Sequence, residues 1–343
     1  MLSNDCDRLR DGVATVSLNS SGNGEATVNG DHPDLATIIR PLYTQFLSDL
    51  SLKQPFILHE PEKFKKAVLE YAEGTGVPFP PNSHSFSCLM VGYSSSGNCF
   101  PYHPFDVKVW LAIFTWLATL CDDAERCDTV HDIQGFQERW LMGEKQPTVI
   151  TQALADHLRL AYKYYEPLVA NLIISRTFEF LTSTAFTARK PAKVPSSGGQ
   201  NFPWWIRDKD GIGEAYAWFT FPKETYPDMT VPVEAISDMA KCICLVNDVL
   251  SFYKEELNGD TGNYIHAKAA YAGIDIISSL KETAEEAIEC AQRIEQVLEG
   301  KGEYQKAWQQ HATGYVEMHL MRGRYRLWEV GIGHEPESSE ILK

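Results

Sequence analysis

The chain has 343 residues, 44% of them hydrophobic, and a formal net charge of −15 at pH 7. This length and apolar content suffice for one or two well-packed domains, whereas the acidic charge argues against nonspecific nucleic-acid binding. No apolar stretch is long and uncharged enough to span a bilayer, and the N-terminus lacks the apolar core of a signal peptide. Eight scattered cysteines without a CxxC pair predict reduced thiols in a cytoplasmic protein.

Residues 1–33 are rich in Ser, Asn and Gly, which predicts a flexible leader. From Asp34 onward apolar residues recur at helical spacing, and Pro41 is expected to kink or break the first helix. Further helices are predicted over 61–74, 85–97, 105–120, 131–144, 152–165, 168–186, 235–253, 276–298 and about 304–330. No alternating strand pattern occurs, so we expect an all-α single domain over 34–335, followed by a C-terminal tail over 336–343.

A possible metal-binding face lies on the strongly apolar helix predicted over 235–253. Asn247, Ser251 and Glu255 are spaced i, i+4 and i+8, so a helix would place them on one face. All three offer oxygen, the donor that Mg²⁺ prefers. The alternative is a polar stripe that faces solvent or a neighbouring helix.

A second acidic cluster closes the apolar segment over 105–120. Asp122, Asp123 and Glu125 follow it, at the end of a helix where the macrodipole disfavours anions. A divalent cation would offset both this penalty and the mutual repulsion of the carboxylates. The alternative is an ordinary acidic loop.

Basic residues that could bind an anion occur in three places. The last predicted helix contains Arg324 beside Tyr325, and Lys254 precedes Glu255. Arg207 precedes Asp210 at a predicted helix break, where Gly211 and Gly213 interrupt an aromatic-rich segment. Guanidinium groups bind phosphate bidentately, which makes these residues candidates for a phosphate site.

Taken together, these motifs resemble those of a class I terpene cyclase, most closely the fungal trichodiene synthase family. The resemblance rests on the Asp-rich motif, on NDVLSFYKE about 125 residues later, and on the Arg-Tyr pair, and it covers roughly residues 85–335. It implies a single-domain class I isoprenoid (terpenoid) synthase helical bundle with a deep apolar cavity. It also implies three Mg²⁺ ions, with Mn²⁺ as a substitute.

The resemblance further implies roles for individual residues. Asp122 would bridge two ions, and Asn247, Ser251 and Glu255 would hold the third. The diphosphate would be bound by Lys254, Arg324, Tyr325 and Arg207. Arg207, Asp210 and Gly211 match the family's sensor, linker and effector of diphosphate binding.

One departure from the family pattern affects the Asp-rich motif. The position that usually ends this motif in a carboxylate is Arg126, while Glu125 lies one residue early and Asp128 comes later. The metal role of Glu125 is therefore left open.

Aromatic side chains that could line a cation-stabilising cavity lie near both motifs. Phe114 precedes Asp122 by two turns, and Trp218 and Phe219 follow the predicted helix break. Ordinary core packing is the alternative for each.

The function predicted from these features is that of a Mg²⁺-dependent sesquiterpene cyclase that ionises farnesyl diphosphate, cyclises the allylic cation and releases diphosphate. Three alternatives stay open: capture of the cation by water or an amine, transfer to another isoprenoid, and a non-catalytic helical binding protein. The C15 substrate is favoured over C10 or C20. The sequence determines neither the product skeleton nor whether the chain forms a homodimer.

Overall fold

The computed structural model describes residues 34–50, 52–53, 60–123, 130–189 and 195–334. The predicted leader over 1–33, the tail over 336–343, and Glu125, Arg126 and Asp128 lie outside these ranges. Within them the regular secondary structure is helical and no strand occurs, as the sequence predicts. No helix in the described ranges is both long and apolar enough to cross a bilayer.

The helices follow one another in this order: α1 Leu35–Asp49, α2 Pro61–Thr75, α3 His84–Cys99, α4 Phe105–Asp122, α5 Val130–Gln134, α6 Phe136–Met142, α7 Val149–Arg159, α8 Ala161–Tyr164, α9 Pro167–Thr187, α10 Phe202–Asp210, α11 Gly213–Phe219, α12 Ile236–Leu257, α13 Tyr264–Ala272, α14 Ile276–Leu298, α15 Glu303–Met321 and α16 Leu327–Val330. Short 3₁₀ turns precede α12 and α16.

Two apolar helices, α4 and α12, form the centre of the bundle. Helix α4 is buried along nearly all of its length because Val, Leu, Ile, Phe and Trp occupy every side of it. Helices α2, α3 and α7 pack against α4, while α11 and α14 pack against α12. The polar ends of α4 and α12 therefore lie where apolar helices hold them in fixed positions.

The predicted helix break separates α10 from α11. Ile212 adopts a left-handed conformation with φ +49°, which ends one helix and starts the next. Arg176 on α9 spans the break, because it pairs with Asp208 on α10 at 3.2 Å and with Glu214 on α11. The two short helices are thus held to the same neighbour.

The structure corrects several local predictions. The single helices predicted over 131–144 and 152–165 are each divided, the first into α5 and α6 and the second into α7 and α8. Pro41 lies inside an uninterrupted α1, and α2 continues past Gly74 to a left-handed cap at Gly76. The last helix, predicted as continuous to Val330, is divided into α15, a 3₁₀ turn and α16. Helix α13 was not predicted, although Asn263 caps it by accepting a hydrogen bond from the backbone N–H of His266.

Candidate active site

Two adjoining pockets form a cleft at the ends of α4 and α10 and along α12. One is a polar chamber of about 260 Å³ that Glu255 helps to line, and the other is a more apolar cavity of about 200 Å³. The residues that line both are Asp122, Arg207, Asp210 and Asn247. The sequence predicted functions for all four, and the fold brings them together at the boundary between the pockets.

Helix α12 supplies one wall of the polar chamber. Asn247 and Glu255 line it, and the side chain of Glu255 is 17% exposed. Ser251 lies between them on the same helix face but is buried, with 2% of its surface exposed. The i, i+4, i+8 spacing thus gives a common face, on which the two outer residues reach the chamber.

Asp122, the last residue of α4, supplies the opposite wall. Its side chain is open to the water of the cleft but lies deep among protein atoms. This burial and the nearby carboxylates of Asp123 and Asp210 raise the pKa of Asp122 to about 6, against the opposing effect of Arg207 and Arg324. A divalent cation bound here would reduce the electrostatic repulsion among these carboxylates.

Asp123 points to a different partner. Its Oδ2 lies 2.9 Å from Nε2 of His84, on α3. Together with Cys88 these residues place one nitrogen, one sulfur and one oxygen within 4.8 Å of one another. This donor set is softer than the all-oxygen set that Mg²⁺ prefers, so the two adjacent aspartates face chemically different surroundings.

Arg207 is the most extensively bonded cation of the cleft. Its Nε donates to both carboxylate oxygens of Asp248, at 2.8 and 2.9 Å, and Nη1 donates to Oδ1 of Asp210 at 3.2 Å. Its Nη2 donates to the backbone oxygen of Cys244 and to Oδ1 of Asn247, both at 3.3 Å. The guanidinium therefore links the end of α10 to the middle of α12.

A second cationic group lies at the C-terminal end of α12. Nζ of Lys254 is 3.6 Å from a carboxylate oxygen of Glu255 and 5.5 Å from the ring centroid of Tyr325. The guanidinium of Arg324 lies 5.5 Å from the same ring centroid. Burial and the charge of Arg324 lower the pKa of Lys254, and Glu255 partly offsets this shift. Lys254 and Arg324 thus both lie beside the ring of Tyr325, where one anion could contact both cations.

Aromatic residues line the apolar cavity, namely Phe180, Tyr216, Tyr315 and Tyr325. Phe114 and Phe219, predicted from the sequence as cavity residues, are buried and contact the ring of Tyr216. Trp218 is also buried, and none of these three predicted residues is among those that line the described cavity. Their role as cavity walls stays a prediction.

The helix break approaches α12 very closely. A Cβ atom at Gly211 would lie 2.4 Å from Sγ of Cys244, and one at Gly213 would lie 2.3 Å from the backbone oxygen of Ala240. Side chains at these positions would push α10 and α11 away from α12. Glycine is therefore required by close packing, whereas the positive φ of the break falls on Ile212.

Two residues with direct contacts to the predicted site were not predicted. Asp248 is the main partner of Arg207, and burial raises its pKa to about 6 although Arg207 opposes the shift. His319 on α15 contacts the side chain of Asn247. A buried carboxylate requires a cation, so Asp248 could have been found from its position in the apolar helix, whereas His319 has no comparable sequence pattern.

The oxygen donors of the chamber fit hard cations. Asp122, Asn247 and Glu255 supply carboxylate and amide oxygens, and burial and like charges raise the pKa of Asp122, so a bound cation would favour its ionised form. These features match the preference of Mg²⁺ for oxygen and for sites shared with phosphate groups.

Comparisons with known proteins agree with this geometry. The family described as Trichodiene synthase (TRI5) matches residues 87–341. Longiborneol synthase CLM1 of Gibberella zeae is 54% identical over 318 residues, which cover 92% of this chain and 94% of that protein. Terpene synthase BipA of Cochliobolus sativus is 32% identical over 290 residues, covering 83% and 88% of the two chains.

Solved structures with the same fold are more distant in sequence. A single-residue variant of cucumene synthase has a TM-score of 0.57 at 15% identity, and the match covers 80% of this chain and 99% of that protein. Linalool/nerolidol synthase from Streptomyces clavuligerus has a TM-score of 0.60 at 12% identity, with coverages of 78% and 97%. These likenesses show the class I terpene synthase fold. The family match and the close relatives show that the chain belongs to the trichodiene synthase family and is a terpene synthase, a lyase that acts on diphosphates.

Proposed function

We propose that this enzyme is a Mg²⁺-dependent sesquiterpene cyclase that ionises farnesyl diphosphate and cyclises the resulting allylic cation. The main support is the boundary between the two pockets, where Asp122, Arg207 and Asn247 line both the polar chamber and the aromatic cavity. A diphosphate in the chamber would place its isoprenyl chain in the cavity. The C15 chain length is favoured by similarity to the trichodiene synthase family and to longiborneol synthase CLM1 of Gibberella zeae.

The protein's own groups divide the chemistry between the two pockets. Asp122, Asn247, Ser251 and Glu255 would hold Mg²⁺, which when bound would neutralise the diphosphate and promote its departure. Arg207, Lys254 and Arg324 would bind the same leaving group, and Tyr325, whose ring lies beside the last two, would contact it with its hydroxyl group. Aromatic faces stabilise the cation, and a dry cavity delays its capture by water.

One alternative has specific support, namely capture of the final cation by water. The name of the Gibberella zeae relative, longiborneol synthase, is that of an enzyme forming an alcohol. An alcohol requires an oxygen nucleophile after diphosphate has left. At 54% identity this outcome is a reasonable expectation for the present enzyme, and it adds a final hydration to the proposed cyclisation.

The test is incubation of the purified enzyme with geranyl, farnesyl or geranylgeranyl diphosphate and Mg²⁺, with products analysed by mass spectrometry. We expect the highest turnover with farnesyl diphosphate, a cyclic C15 product and no turnover in excess EDTA. In ¹⁸O-labelled water an alcohol product should gain 2 mass units, and a hydrocarbon should gain none. Unchanged turnover in EDTA, or turnover confined to the C20 substrate, would contradict the proposal.

A further inference from the structure

His319 is buried at the C-terminal part of α15, beside the proposed metal ligand Asn247. Its Nε2 lies 3.2 Å from Nδ2 of Asn247, and its Nδ1 lies 2.7 Å from the backbone oxygen of Tyr315. None of its surface is exposed to solvent. Both ring nitrogens therefore have defined partners within the protein.

These partners determine the tautomer of the imidazole. The carbonyl oxygen of Tyr315 can only accept, so Nδ1 must carry a hydrogen and donate it. In the neutral ring Nε2 is then an acceptor, and it faces a group that must donate. The carboxamide of Asn247 satisfies this requirement only when its NH₂ group points toward His319.

The opposite end of the same carboxamide gives an independent check. Nη2 of Arg207 lies 3.3 Å from Oδ1 of Asn247, and a guanidinium can only donate. If the amide were reversed, two donors would face each other at Arg207 and no donor hydrogen would reach Nε2 of a neutral His319. The contacts at both ends therefore select the same orientation.

We propose that His319 is a positioning residue that holds the carboxamide of Asn247 with Oδ1 toward the polar chamber, ready to ligate Mg²⁺. This inference rests on the proposed metal role of Asn247. A free carboxamide can present its NH₂ group to the chamber instead of its oxygen, and NH₂ does not ligate a hard cation. Groups that orient metal ligands in this way typically change metal affinity by about 10- to 100-fold when removed.

The chain contains a matched control on the same helix. His311 lies two turns before His319 and is also buried, with 1% of its surface exposed. In contrast to His319, neither of its ring nitrogens has a hydrogen-bond partner among the described residues, and it packs against Phe100 and Trp308. His311 has no hydrogen bond to Asn247, and its nearest link to His319 is a stacking contact with Tyr315 at 6.0 Å, so a change at His311 reports the cost of replacing a buried histidine outside the hydrogen bonds of Asn247.

The experiment compares His319→Met, His319→Gln and His311→Met. Glutamine and methionine have similar length, but only the glutamine amide can replace Nε2 as a good acceptor for Asn247. The first readout is the thermal stabilisation of each protein by Mg²⁺ with inorganic diphosphate, titrated in Mg²⁺. The second is the Mg²⁺ concentration that gives half-maximal turnover of farnesyl diphosphate.

We expect His319→Met to raise the Mg²⁺ midpoint at least about 10-fold in both readouts, with His319→Gln and His311→Met near wild type. Asn247→Ala combined with His319→Met should be no worse than Asn247→Ala alone. If His319→Met does not fold, His319→Phe, which keeps a ring against Tyr325, takes its place.

Two results would overturn the role of His319: wild-type midpoints in the methionine variant, or equal losses in the methionine and glutamine variants. A wild-type protein that Mg²⁺ and diphosphate do not stabilise would instead count against the proposed function. The two failures are therefore distinguishable.

Discussion

The two walls of the polar chamber present their proposed metal ligands in different ways. Asn247, Ser251 and Glu255 lie within one long helix, α12, whose backbone is fixed by neighbours on nearly every side. Asp122 instead ends α4, next to Asp123 and to a segment outside the described residues. The proposed ligands on α12 are thus positioned by the regular spacing of residues within a helix. The position of Asp122 depends instead on the residue at which α4 ends.

This difference determines how charge is balanced on each wall. On the α12 side Asn247 is neutral, and Glu255 has Lys254 nearby at 3.6 Å. On the α4 side burial, together with the nearby carboxylates of Asp123 and Asp210, raises the pKa of Asp122. The α12 wall is therefore ordered before any metal binds, while the α4 wall retains repulsion that a metal would relieve.

The largest effect is expected at the α4 wall. Asp122→Asn should lower turnover by about 10³-fold or more, because Asp122 is proposed to be shared by two Mg²⁺ ions, and its loss would then weaken the charge stabilisation of the departing diphosphate. By the proposed role, kcat should fall more than the affinity for farnesyl diphosphate. Steady-state kinetics with mass-spectrometric product analysis measures both.

Glu125, which lies outside the described residues, gives the matched comparison. Because it is one residue early relative to the family pattern, Glu125→Gln should mainly change KM or the product ratio. A loss at Glu125 as large as that at Asp122 would reverse the assignment. Coordination of Mg²⁺ by Glu125 with Asp122 turned away, in a structure with diphosphate bound, would do so directly.

A smaller but still large effect is expected on the α12 wall. Asn247→Ala and Glu255→Gln should each lower turnover by about 10²-fold, because each would remove one of several proposed ligands to a single ion. Glu256→Gln is the control, since Glu256 pairs with His266 at 3.0 Å and belongs to another helix face. The Asn247–Glu255 double variant should lose much less than the product of the single losses. Equal tolerance at positions 255 and 256 would refute the shared ion.

The contrast between the walls also explains what the sequence could predict. The spacing of Asn247, Ser251 and Glu255 follows from 3.6 residues per turn, so their common face was correctly inferred. The contact between His319 and Asn247 joins residues 72 positions apart, and the pairing of Asp123 with His84 joins α4 to α3. Such contacts depend on how helices pack, which periodicity within one helix does not specify.

The apolar cavity illustrates the same limit. Phe114 and Phe219 were predicted as cavity residues from their distance to Asp122 and to the helix break, and both contact the ring of Tyr216, which lines the described cavity. Which aromatic face meets the cavity depends on the rotation of each helix about its axis. Most long helices were therefore predictable to within a few residues, whereas helical periodicity does not specify which of their aromatic side chains line the cavity.

A smaller effect is expected at the helix break, where Gly211 packs closely against α12. Gly211→Ala would place a methyl group 2.4 Å from Sγ of Cys244, so α10 and its Arg207 should shift. We expect a loss of about 1–3 kcal/mol in the free energy of unfolding and roughly 10-fold in turnover. Combining it with Cys244→Ala should restore part of both, since the sulfur is removed. The backbone oxygen of Arg207, 2.9 Å from the added methyl group, limits how much stability the second change can restore. A double variant that is no more stable than Gly211→Ala alone would contradict the steric explanation.

The smallest expected effect concerns the stability of the metal-free enzyme, and its sign distinguishes the α4 wall from the α12 wall. The folded-state pKa of Asp122, about 6, exceeds the ordinary value of 3.8, so the folded protein binds this proton more tightly than the unfolded chain. Asp122 therefore makes the folded state progressively less stable as pH rises from about 4 through about 6. Asp122→Asn removes this effect and should raise the unfolding temperature above pH 6.

Because Asp122 is open to the water of the cleft, solvent screening reduces the gain to less than about 1 kcal/mol. The difference between the variant and the wild type should vanish near pH 4, where Asp122 is largely protonated. It should reverse when Mg²⁺ and diphosphate are added, since the ligands then stabilise only the wild type.

Glu255→Gln should show no such gain, because Lys254 already balances that carboxylate. Thermal unfolding of the three proteins at pH 4.5 and 7.5, with and without ligands, measures all of these differences. A wild type more stable than Asp122→Asn at pH 7.5 without ligands would contradict the destabilisation that burial and like charges impose on ionised Asp122.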